Sequence, residues 1–204
     1  MIIFMFKIIC ITNRKLCAES YVSRLEKIAQ ACPDGIILRE KDLDENEYYI
    51  LASETADIFR KYSVEFIMHN FTETALRLKY DKIHLPLSVL RESRTDILQH
   101  FSVIGCSCHS IDEAKEAERL GAAYITAGHI FATDCKPGLA PRGIEFLRNI
   151  CKEVSIPVYA VGGICISNIK TISDIGAAGC CIMSGFMQCD NVNEYLTKLR
   201  EAVK

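Results

Sequence analysis

Short runs of apolar residues alternate with longer stretches of mixed character along the whole chain. The apolar runs predict strands at Phe6–Thr12, Gly35–Arg39, Glu65–His69, Lys82–Leu85, Ser102–Cys106, Tyr124–Ala127, Pro157–Val161 and Cys180–Met183. Between them the apolar residues recur at helical spacing, for example Tyr21, Val22, Leu25, Ile28 and Ala29. The clearest helix follows Ser110: that serine can cap it, Glu113 completes a capping box, and Gly121 supplies the stop. Strands that are apolar almost throughout are what a parallel sheet buried on both faces requires. Strand and helix alternating in this way over 204 residues predicts a single (β/α)8 barrel domain spanning 1–204, with an open doubly wound sheet as the alternative.

Composition changes this picture little. Half the residues are hydrophobic, the formal net charge is −2, and basic residues are interleaved with acidic ones. No basic tract points to nucleic acid or to an anionic membrane surface, so a small-molecule or protein partner is expected. The 11 cysteines include no CxxC pair, and many sit in apolar runs, which reads as small buried hydrophobes in a reducing cytoplasm. Cys106, Cys108 and His109 form a possible metal cluster, but no second ligand pair accompanies them and no metal is assigned. The apolar N-terminus lacks the flanks of a signal peptide and is expected to form the first buried strand.

In a barrel of this kind the chemistry collects where strands end. Gly162-Gly163 after the seventh strand and Ser184-Gly185 after the eighth allow close backbone approach, with a helix expected soon after each. Together Gly162-Gly163 and Ser184-Gly185 predict a phosphate cradle. His84 lies in an apolar strand and reads as structural, His100 as solvent-facing, His109 as a cap or pocket residue, and His69 as a candidate for the mouth. His129 differs. It ends the sixth strand after Gly128 and leads into a loop carrying Thr133, Asp134 and Lys136, which suits a proton-transfer residue.

The blocks "GHIFATDCKPGLAPRG", "IPVYAVGGI" and "IMSGF" resemble the TenI branch of the thiamin phosphate synthase/TenI superfamily. "LREKD", "IHLP", "IGCSCHS" and "IDEAKEAERLGAAYI" follow in the expected order, so the likeness extends over most of the chain. The resemblance implies a (β/α)8 barrel, a role in thiamin biosynthesis on a small phosphorylated thiazole substrate, and a homo-oligomer, since barrels of this family often pair. It leaves two activities in competition: a magnesium-dependent transferase that joins a pyrimidine diphosphate to a thiazole phosphate, and a cofactor-independent tautomerase that aromatises a carboxylated thiazole phosphate. A non-catalytic thiazole phosphate-binding regulator is a third possibility. Two synthase acids are missing, because Phe71 follows Asn70 and Val89 stands in the loop after His84. The synthase also has proline where His129 stands, whereas Arg39 and Lys41 match its diphosphate-binding basic residues. On balance the resemblance implies the tautomerase, with His129 as the proton shuttle. Gly163, Met183 and Ser184 would hold the substrate phosphate, and Ser107, Thr133 and Lys136 would stabilise the anionic intermediate.

Overall fold

In the computed structural model, which describes residues 5–136 and 138–204, eight parallel strands close into a barrel in sequence order. They are β1 (Lys7–Ile11), β2 (Gly35–Ile37), β3 (Phe66–His69), β4 (Lys82–Pro86), β5 (Val103–Cys108), β6 (Tyr124–Gly128), β7 (Val158–Val161) and β8 (Gly179–Ile182). The barrel closes where Lys7 to Cys10 of β1 pair with Gly179 to Ile182 of β8. The surrounding helices are α1 (Tyr21–Ala31), α2 (Glu45–Lys61), α3 (Thr72–Arg77), α4 (Leu87–Glu92), α5 (Thr95–Leu98), α6 (Ile111–Arg119), α7 (Gly143–Glu153), α8 (Ile169–Asp174), α9 (Ser184–Gln188) and α10 (Val192–Ala202). The start of the apolar N-terminal run, residues 1–4, lies outside the described residues.

Strand alternation sorts side chains between two cores. Ile8, Cys10, Ile36, Leu38, Met68, Ile83 and Leu85 face outward and pack with helix residues such as Leu25, Ile28, Leu196 and Leu199. Ile9, Ile11, Ile37, Ile67, Tyr124, Tyr159 and Cys181 fill the barrel interior. Large interior rings need small neighbours. A Cβ on Gly105 would fall 2.1 Å from Tyr124 Cζ and 2.6 Å from His84 Nδ1, so only glycine admits both rings there.

The helix on α6 is close to expectation, with one difference. Ser110 Oγ accepts the Glu113 amide at 3.0 Å, but the Glu113 carboxylate reaches the His109 amide rather than that of Ser110. In α1 the apolar points Leu25, Ile28 and Ala29 are buried, whereas Val22 is exposed and Arg24 takes a buried place, paired with Glu19 at 2.8 Å. Among the described residues no helix is long and apolar enough to cross a membrane. All of these elements serve to present the strand ends, and β5 runs two residues further than predicted, which sets Ser107 on the interior face of the strand.

Candidate active site

A cavity of about 460 Å³ opens at the C-terminal ends of the strands, within the usual size range of small-molecule sites. Every residue proposed from the sequence lines it: Arg39, Lys41, Ser107, His129, Thr133, Lys136, Gly162, Gly163, Met183 and Ser184.

The glycine side is assembled by β6, β7 and β8. Gly162 and Gly163 hold φ of +102° and +66°, in the left-handed region that L side chains rarely adopt. The segment after β6 lies directly on them. A Cβ on Gly162 would come within 2.4 Å of His129 Cβ, and one on Gly163 within 2.3 Å of the Ala132 carbonyl oxygen. Ile130 and Phe131 donate their amides to the Val161 and Gly162 carbonyls, both at 3.0 Å. The helix expected soon after Gly163 starts only at Ile169, since residues in between form a turn closed by Asn168. Its side chain accepts the Cys165 amide and donates to the Gly163 carbonyl, each at 2.9 Å. After β8 the expectation holds: α9 begins at Ser184, and the first amides of a helix have no partner within it.

Cations gather at the mouth. Arg39 follows β2, where its amide donates to Thr12 Oγ1 at 3.0 Å. The neighbouring Glu40 turns away from the cavity. Its buried carboxylate accepts hydrogen bonds from Thr12 Oγ1, the Arg14 amide and Tyr21 Oη, leaving Arg39 without an acid partner among the described residues. Burial lowers the pKa of Arg39, and Lys41 is lowered by burial and by the like charges of Arg39 and Lys136. Three cations close enough to repel one another give this side of the cavity a positive potential.

Four of the five histidines line this one cavity. His129 is 6% exposed, and its Nε2 donates to the Leu139 carbonyl at 3.3 Å, an arrangement that leaves Nδ1 as the unprotonated nitrogen. His109 donates from Nδ1 to the Gly128 carbonyl at 3.1 Å, where the Arg142 Nε also donates at 3.0 Å. His84 is both structural, as expected, and part of the site. Its Nδ1 and Nε2 lie 3.1 Å from Tyr124 Oη and 2.8 Å from Ser107 Oγ. Burial and then Arg39 push the His84 pKa down to about 3, and burial followed by His84, Arg39 and Lys41 pushes His69 well below its usual value. Both rings are therefore neutral near pH 7. His69 lines the mouth, as its place at a strand end suggests, whereas the apolar strand around His84 hides that its ring also reaches the cavity. The signal was available in the period of two, since the apolar neighbours Ile83, Leu85 and Met68 face the helices and the histidines between them face the barrel axis.

The cavity does not fit a magnesium ion bound by the protein. Magnesium takes hard oxygen ligands, usually carboxylates. Among the described residues the cavity lining holds a single carboxylate, Glu113, and its Oε2 is occupied by the His109 amide at 2.5 Å. Phe71 packs tilted against Tyr48, with ring centroids 4.9 Å apart, and Val89 packs on the core, so positions 71 and 89 supply no ligand. Cys106 and Cys108 are buried on the helix side, and among the described residues no group of three or more His, Cys, Asp or Glu comes together.

Fold and cavity together define a (β/α)8 barrel protein with a cavity lined by basic residues and glycines at the strand ends. The family model described as thiamine monophosphate synthase (TMP-TENI) matches residues 8–186. A putative thiamine-phosphate synthase 2 of Aquifex aeolicus is 35% identical over 182 residues, covering 89% of this chain and 98% of its own. A thiamine-phosphate synthase of Pyrococcus abyssi is 32% identical over 203 residues, covering 97% and 95% respectively. The solved thiamine phosphate pyrophosphorylase from Pyrococcus furiosus superposes with a TM-score of 0.82 at 28% identity, covering 97% of this chain and 95% of that one. The chain belongs to the thiamine monophosphate synthase/TenI family.

Proposed function

We propose that this protein is a thiazole tautomerase of thiamin biosynthesis, working without a cofactor. The observation that carries the proposal is His129. It stands on the cavity wall directly against the glycine cradle, with one ring nitrogen committed to a backbone carbonyl and the other left to accept a proton. The substrate phosphate sits on the amides around Gly163, Met183 and Ser184, drawn in by Lys41 and Lys136. His129 Nδ1 takes the proton from the ring carbon that bears the carboxylate. The electrons delocalise through the ring, and a proton returns to the exocyclic carbon as its double bond moves into the ring. Substrate and product are isomers, so no co-reactant is consumed. Lys136, Thr133 and Ser107 stabilise the anion between the two transfers.

A second reading, the thiamine-phosphate synthase activity, is favoured by the names of the relatives and by the cations Arg39 and Lys41. The shortage of carboxylate ligands in the cavity weighs against it. Two assays separate them. Aromatisation of the dihydrothiazole phosphate in the presence of a chelator supports the tautomerase. Release of pyrophosphate from mixed pyrimidine diphosphate and thiazole phosphate with magnesium, without tautomer turnover, supports the synthase.

A further inference from the structure

His69 has no place in that mechanism, yet it is 5% exposed, lines the cavity, and among the described residues its ring makes no hydrogen bond. The register explains its company. Ile37 of β2 pairs with Ile67 of β3, so Arg39 and His69, each two residues further along, stand side by side at one level and face inward. Arg39 likewise makes no side-chain hydrogen bond or ion pair among the described residues, since Glu40 is turned toward Thr12, Arg14 and Tyr21. Two adjacent groups able to donate, both partly or wholly withdrawn from water, thus have nothing of the protein to donate to. Both groups line the cavity, so the acceptor that the protein does not supply comes from what enters it, water or a ligand.

Position in the barrel says which part of the ligand. In a closed barrel of eight strands, β3 lies four strands from β7, diametrically across from the glycine cradle. A ligand whose phosphate rests on β7 and β8 directs its other end at β3 and β4, and Arg39, following β2, flanks β3 there. We propose that His69, beside Arg39, is a specificity-determining residue that binds the carboxylate of a phosphorylated carboxythiazole. This rests on the function proposed above. A planar carboxylate suits the pair: the guanidinium fork takes one or both oxygens, and the imidazole N–H takes a remaining lone pair. Because His69 is held neutral by burial and by Arg39, it acts there as a hydrogen-bond donor and not as a competing base. Fixing the carboxylate also fixes the adjacent ring carbon, which is the one that surrenders its proton.

Calorimetric titration tests this with two ligands, the carboxythiazole phosphate and the same thiazole phosphate without its carboxylate. Wild-type protein should prefer the carboxylated ligand by roughly 10- to 100-fold, the range of a charged hydrogen-bonded contact. His69→Leu should lose most of that preference while inorganic phosphate binds as in wild type, which also reports that the barrel is intact. If His69→Leu does not fold, His69→Phe keeps the ring shape without its nitrogens and should show the same loss. Equal wild-type affinity for the two ligands, or an undiminished preference in the folded variant, overturns the assignment. Turnover of the dihydrothiazole tautomer is read separately. Its absence alongside an intact, His69-dependent preference refutes the tautomerase and not the subsite.

Discussion

Gly163 joins the phosphate cradle to the loop that carries Thr133 and Lys136, so replacing it by alanine is informative. Its φ of +66° costs an L residue on the order of 1–2 kcal/mol. The new Cβ would also meet the Ala132 carbonyl oxygen at 2.3 Å and Phe131 Cβ at 2.8 Å. Backbone cannot yield as a long side chain does, and such overpacking costs typically about 1–3 kcal/mol. The sum, about 2–5 kcal/mol, corresponds to a fall in Tm of roughly 5–15 °C for a chain of this size. Gly121 provides the control, for it has φ of +90° but nothing within 4 Å of its would-be Cβ. Gly121→Ala suffers the strain without the collision. Differential scanning fluorimetry with and without inorganic phosphate measures both effects. Gly163→Ala should melt several degrees below Gly121→Ala and gain less from phosphate than wild type does. Equal melting of the two variants, with the same phosphate-induced rise, would refute the close approach of the two loops.

Other consequences are equally open to measurement. His84 has a pKa near 3 in the folded chain against an ordinary 6.5, so the unfolded state binds the extra proton between those values. Its contribution is complete above about pH 6.5 and is lost as pH falls toward 3, amounting to several kcal/mol. The Tm of His84→Gln should therefore vary less over that window than that of wild type; parallel profiles would contradict the linkage. Glu40→Ala should destabilise by roughly 3–5 kcal/mol in urea denaturation, because the Thr12, Arg14 and Tyr21 donors lose their buried acceptor. A change under about 1 kcal/mol would argue against that network. Lys136→Ala should relieve repulsion on Lys41 and raise its pKa, visible by NMR of the lysine side chain. The same variant should bind phosphate more weakly and with less dependence on salt.

Much of this architecture was legible in the residue pattern. Buried parallel strands are apolar on both faces, so each announces itself, and the Ser110 cap and Gly121 stop bound one helix locally. Strand ends were less legible. Whether Ser107 continues β5 depends on its pairing with Thr126, a contact 19 residues away that no local pattern contains. The histidines show the same limit from the other side. His84 was read by its apolar neighbours, which belong to the opposite face of the strand, and His69 gains meaning only from its register with Arg39. The Glu40 carboxylate, adjacent to two cavity cations in sequence, is drawn away by residues of β1 and α1. The tight turn after β7 was legible because the Gly162-Gly163 pair supplies two consecutive residues with positive φ.

The proton shift through His129 is tested most directly by turnover of the dihydrothiazole phosphate in D2O, comparing wild type with His129→Asn by NMR. Wild type should deliver the aromatic product, with the original hydrogen on the former exocyclic carbon to the extent that His129 returns it faster than solvent exchanges it. The variant should still bind inorganic phosphate but turn over about 10²- to 10⁴-fold more slowly, the usual span of a lost general base. A variant as fast as wild type would contradict it.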